Sequence, residues 1–160
     1  MGWGRIGWKR SKAMDRSLIA AAATVVVGSL IALQAPINSG LGKVTGTLPA
    51  AAISFIVGTV LLLSIVAVSG EIGNLGKAAD VRWYYLIGGL LGAAYVTTVL
   101  LTVRTLGAGG VTAATVAGQL TMSVIIDRIG FLGLEETPIT LGRVIGVLLL
   151  FAGTVLVIRT

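Results

Sequence analysis

The chain has no cysteine and no histidine. These absences remove disulfides, thiol nucleophiles, haem and zinc ligation, and imidazole acid–base chemistry. Charge is scarce as well. Asp, Glu, Lys and Arg make up 11% of the 160 residues, against about 25% in a soluble domain, too few to cover a water-facing surface. The acids stand only at the ends of apolar runs or between them, so no paired carboxylates and no nucleophile–base set can be assembled at depth. No catalytic residue and no metal ligand is therefore nominated, and an intramembrane enzyme is the weakest reading. A phosphate-binding loop is missing too, because Gly42-Lys43 lacks the upstream glycine at the needed spacing and is followed by Val44. No cofactor is expected, and ATP-driven pumping by this chain alone is disfavoured.

Apolar sequence is abundant: 56% of residues are hydrophobic and the mean hydropathy is +1.00. Five runs of membrane-crossing length occur, about 17–40, 49–69, 83–103, 107–127 and 141–158. None carries a charge in its interior, and none alternates as a barrel strand would. Helices are then the way to satisfy the backbone in lipid. The expected fold is an all-α membrane protein with five transmembrane helices as one domain, 17–160, after a basic tail at 1–16. The connections are short: Gly40 to Leu48, Gly70 to Arg82, the glycine-rich Arg104 to Gly110, and Arg128 to Thr140.

The net charge of +6 does not point to nucleic acid, because the basic residues sit in separate short segments. They read as topology signals. With the N-terminus inside, the cytoplasmic segments hold Arg5, Lys9, Arg10, Lys12, Arg16, Lys77, Arg82, Arg128 and Arg143, and the outer ones hold Lys43, Arg104 and Arg159. That bias predicts a cytoplasmic N-terminus and an outer C-terminus. The first run is long for a signal core, and its small-residue stretch Leu33-Gln34-Ala35-Pro36 puts proline where cleavage would need a flexible residue, so an uncleaved first span is expected. Trp3 and Trp8 can rest at the interface or belong to a disordered tail.

An odd number of spans puts the termini on opposite faces. A second copy inserted upside down would complete the inverted pair that many transporters use. The chain has no room for both halves, so a second five-helix chain is the expected partner besides the lipid bilayer.

Polar residues inside the runs are the candidates for binding a solute. Gln34 and Asn38 share a helix face around Pro36, which either opens the helix ladder toward a cavity or marks a frayed span end. Thr112, Thr115, Gln119, Ser123 and Asp127 follow helical spacing, with Gln119 near mid-depth. A buried amide needs partners, so this face either bonds to a neighbouring helix or lines a cavity. Tyr95 can cover a cation or fill the core. Trp83, Tyr84 and Tyr85 read as an interfacial belt. The pairs Gly88/Gly92, Gly142/Gly146 and Ser54/Gly58 allow close helix approach. Arg104 and Asp127 should lie at opposite membrane faces and not pair. Gln34, Asn38, Tyr95, Gln119 and Ser123 are the candidate substrate-binding residues.

The stretch from Gly28 to Leu63, GSLIALQAPINSGLGKVTGTLPAAAISFIVGTVLLL, resembles the opening of the YdcZ-type inner-membrane family of the drug/metabolite transporter superfamily. WYYLIGGLLGAAYV from Trp83, the step Leu106-Gly107-Ala108, and AGQLTMSVIIDRIGFLG ending at Gly133 resemble its second half. The resemblance covers nearly everything from Ser17 onward. It implies a five-helix half-unit in a bacterial plasma (inner) membrane, pairing antiparallel as a homodimer or heterodimer. The function it implies is export of a small organic solute. Two features depart from the family pattern: the long basic tail, and Arg128 after Asp127 in place of histidine. The tail favours one fixed orientation, which weighs against a dual-topology homodimer. The alternative function is a non-transporting subunit that stabilises or regulates a partner membrane protein.

Overall fold

A computed structural model describes the backbone of residues 4–159 and the side chains of residues 17–159. The expected interfacial placement of Trp3 and Trp8 lies outside the described side chains. Among the described residues the fold is helical and holds no strand. Four α-helices follow in order: α1, Gly4–Thr45; α2, Thr47–Val68; α3, Ile87–Ile129; and α4, Leu141–Arg159. Each contains or forms most of a stretch long and apolar enough to cross a membrane, namely Ser17–Thr45, Thr47–Val68, Trp83–Ile129 and Leu141–Arg159.

Two connections differ from their expected form. The segment from Gly40 to Leu48, expected as a loop, is helical on both sides of Gly46. That residue has φ 92° and ψ 159°, a conformation open to glycine and strained for other residues. Pro49 follows in the first turn of α2, where its missing N–H would have no helical partner anyway. The connection expected at Arg104 to Gly110 is likewise reduced to one non-helical residue, Gly107, with φ 70° and ψ 168° inside α3. Helical segments 87–106 and 108–129 flank it.

The two polar connections have their own structure. Residues Ile72–Asp80 form a 3-10 helix, and Trp83–Leu86 a shorter one leading into α3. Arg82 donates to the Tyr84 hydroxyl at 3.1 Å, and the Tyr84 and Tyr85 rings lie 4.6 Å apart. After α3, Gly130 adopts the left-handed conformation (φ 59°, ψ 37°) and its N–H donates to the Ile126 carbonyl, a glycine stop common at helix C-termini. The Thr137 N–H then returns to the Asp127 carbonyl at 2.8 Å. Thr140 starts α4 by accepting from the Arg143 N–H at 3.3 Å, as an N-cap does.

The chain divides into two compact units between Gln34 and Ala35. In the first, residues 17–34 form an apolar helical stretch whose large side chains, such as Leu18, Val25 and Leu30, are exposed. Its hydroxyls turn inward on the helix: Thr24 donates to the Ala20 carbonyl and Ser29 to that of Val25.

The second unit is built from antiparallel neighbours. Near one end of the α2 and 87–106 pair, Ala50 and Leu100 share a core cluster; farther along α2, the Phe55 ring fills the space above Gly92. Segment 108–129 pairs with α4 through Gly110 beside Ile158, Thr154 donating to the Ala113 carbonyl at 3.1 Å, and Arg143 bonded to Asp127 at 3.2 Å. Small residues let these backbones approach, as in other membrane helix pairs. Of the small-residue pairs noted in the sequence, Gly92 takes a neighbour's ring, whereas Gly58, Gly88 and Gly146 face open space. Burial is slight, with only 6% of the apolar windows of α2 and α4 buried and 22% of that of α3. Lipid tails are as apolar as leucine, so burial between apolar side chains does not drive such packing.

Candidate functional site

Asn38 is 6% exposed and donates through Nδ2 to the Ser54 hydroxyl at 3.1 Å. This bond joins the C-terminal part of α1 to α2. Pro36 lies within a helix that continues to Thr45, so it does not mark a frayed end. Tyr95 is half-buried and packs against two core clusters, Ala35, Val99, Val103 and Val111 on one side and Ala50, Ala51, Val96 and Leu100 on the other. Asn38 and Tyr95 thus hold helices together. Gln34 is exposed and ends the first unit.

The polar stripe of segment 108–129 is split by its packing. Gly110, Ala113 and Ala117 turn toward protein, with Ala117 1% exposed and Ala113 accepting from Thr154. Gln119 and Ser123 are exposed, and neither makes a hydrogen bond among the described residues. Thr112 and Thr115 are half-exposed on the same stripe. Asp127 closes the stripe in its ion pair with Arg143, a contact still partly open to solvent. A second ion pair, Arg128 with Glu136 at 3.6 Å, lies at the same end. The expectation that Arg104 and Asp127 do not pair agrees with these contacts.

A cavity of about 540 Å³ lies at the opposite end of the second unit, lined by Pro36, Ser39, Gly40, Lys43, Val103, Arg104 and Ala108. Its size is that of a small-molecule pocket, about 300–1,000 Å³. The sequence reading treated Lys43 and Arg104 only as topology signals. Their assignment to the same membrane face was the signal that they could meet. Among the described residues no group of His, Cys, Asp or Glu could hold a metal ion.

Residues 19–156 match the model of the family described as "Putative inner membrane exporter, YdcZ". The chain belongs to this family. The match spans most of the sequence, so the YdcZ resemblance drawn from residues 28–63 and 83–133 is borne out. YdcZ membership together with the apolar helices supports a multi-pass membrane protein, in a family described as inner-membrane exporters. No curated protein and no solved structure matches the chain.

Proposed function

We propose that this YdcZ-family chain is one half of a two-chain exporter that moves a small organic solute along the face of segment 108–129. The observation that carries this reading is the exposure of Gln119 and Ser123 near the middle of an apolar helix. An amide left without a partner in hydrocarbon costs about 4–8 kcal/mol. Such a face is stable only against water or another polar surface, and within this chain it faces neither α4 nor the core.

Five crossings fit the helix lengths. At 1.5 Å per residue α3 would be about 64 Å long if straight, roughly twice a bilayer core of about 30 Å. A break at Gly107 lets it cross twice. Five crossings put the termini on opposite faces, with the N-terminus inside by the distribution of Lys and Arg. A second chain in the opposite orientation would cover the Gln119 face and enclose a pathway at the interface of the two repeats. Gln119 and Ser123 are put forward to meet the solute, and Asn38 and Tyr95 to hold the helices that shape the pathway. Gln34 stands as a further candidate on its exposure alone.

The test is efflux from proteoliposomes loaded with a panel of small organic solutes, comparing the parent with Gln119→Leu. The expected result is at least one solute released by the parent, and more than tenfold slower by the variant, which still assembles. The absence of natural cysteine allows assembly of the parent and of Gln119→Leu alike to be read by disulfide trapping between chains through a cysteine placed at the exposed Met122. An assembled Gln119→Leu variant with full efflux would sink the assignment of the pathway to this face.

A further inference from the structure

We propose that Lys43, Arg104 and Ser39 form a binding site for an oxyanion, a phosphate or carboxylate group, at the end of the second unit that carries no acidic side chain. The three residues line one cavity. Charge sets the sign of its ligand. Lys43 and Arg104 take part in neither of the ion pairs among the described residues. The described acids, Glu71, Asp80, Asp127, Glu135 and Glu136, all fall in or beside the two connections at the other end of the helices. Two cations facing one cavity repel each other, and an anion between them relieves that repulsion while satisfying their donors.

Ser39 gives the independent observation. The residue is 8% exposed, and its hydroxyl makes no hydrogen bond among the described residues. Elsewhere in the apolar helices Ser64, Thr102 and Thr121 direct their hydroxyls to the carbonyl four residues back. Ser39 does not, although among the described residues no fully buried polar side-chain atom lacks a partner. Its hydroxyl therefore remains reachable, and the cavity it lines is where a ligand would reach it.

Gly42 explains how Arg104 is placed. A Cβ at position 42 would lie 3.3 Å from Arg104 Nη2, so the guanidinium rests close over the α1 backbone, one residue from Lys43. Helix dipoles do not set the charge here. The C-terminal carbonyls of 87–106 and the N-terminal amides of 108–129 meet at Gly107, and their partial charges oppose each other. The side-chain cations dominate. Pro36, Val103 and Ala108 complete an apolar wall, which suits an anionic head joined to an apolar body. A lipid headgroup and a free anion share this chemistry.

The site stands apart from the transport reading, because its occupancy can be measured without a gradient. The full chain in an uncharged maltoside detergent is titrated with inorganic phosphate and, separately, with short-chain phosphatidylglycerol against phosphatidylcholine. Thermal unfolding is followed in the parent, Ser39→Ala, the Lys43→Gln/Arg104→Gln double variant, the charge-conserving Lys43→Arg/Arg104→Lys variant, and Lys77→Gln at the opposite end. In the parent, the Lys77→Gln variant and the charge-conserving variant, at least one titrant should raise the unfolding midpoint. The double variant should require at least tenfold more titrant for the same rise, and Ser39→Ala a few-fold more. A response to phosphate alone identifies a free-anion site, and a response to phosphatidylglycerol alone a headgroup site; both support the oxyanion assignment. An equal rise in the parent and the double variant, or no rise with either titrant, overturns it.

Discussion

Two of the amide side chains in the apolar helices of this YdcZ-family protein have opposite surroundings. Asn38 is buried and donates to Ser54 across a helix pair. Gln119 is exposed and makes no hydrogen bond among the described residues. Composition alone would treat them alike, since each is an uncharged polar group in a run that lipid would reject. What separates them is the residue across the groove. Asn38 faces a hydroxyl on α2, whereas the side of 108–129 that meets α4 is made of Gly110, Ala113 and Ala117. That leaves the larger polar groups pointing away. One amide is accounted for by the fold of a single chain, and the other asks for a second surface.

The contrast can be broken in graded ways. The largest effect is expected on transport from Gln119→Leu, a loss of more than tenfold in efflux with unfolding unchanged or slightly later. Asn38→Leu should do the reverse, lowering the unfolding midpoint in detergent by the equivalent of about 1–3 kcal/mol as a bonded pair is lost. A variant at either position that affected both readouts equally would erase the distinction. Gly110→Leu tests the packed side of the stripe. Its position already lies against Leu106 and Ile158, with a Cβ meeting them at 3.2 and 3.3 Å, so overpacking should cost about 1–3 kcal/mol. Thr140→Ala removes the α4 cap, for about 1 kcal/mol, measured by chemical denaturation. Smallest is Asp127→Asn, since its partner Arg143 is partly exposed. Screened pairs of this kind contribute about 0–1 kcal/mol, and the change should vanish in high salt.

Much of the fold was legible because lipid imposes so few solutions. Uncharged runs of crossing length dictate helices, and α2 and α4 fall within a few residues of their expected bounds. The turns between helices were less legible. Gly46 and Gly107 each do the work expected of a loop of seven to nine residues, and nothing in a run of small residues distinguishes the glycine at positive φ from those that stay helical, such as Gly42 or Gly109. The candidate site was legible in residue type and not in direction. Spacing put Gln119 and Ser123 on one stripe, but only packing against α4 shows which part of it is covered. The cavity at Lys43 and Arg104 was hidden because its members are about sixty residues apart and each had a sufficient explanation as a topology signal.

Gly107 also sets how the two arms of α3 can move. A loop of several residues would dissipate a movement over many torsions; here two soft dihedrals of one residue carry it all. The arm 108–129 is about 33 Å long at 1.5 Å per residue, so a swing of about 10° at Gly107 displaces its far end by roughly 6 Å. The break acts as a pivot with a long lever. A small rearrangement beside Arg104 and Ala108 would reach Asp127 as a displacement of about 5 Å, close to the pitch of a helical turn, carrying Gln119 about 3 Å along the way.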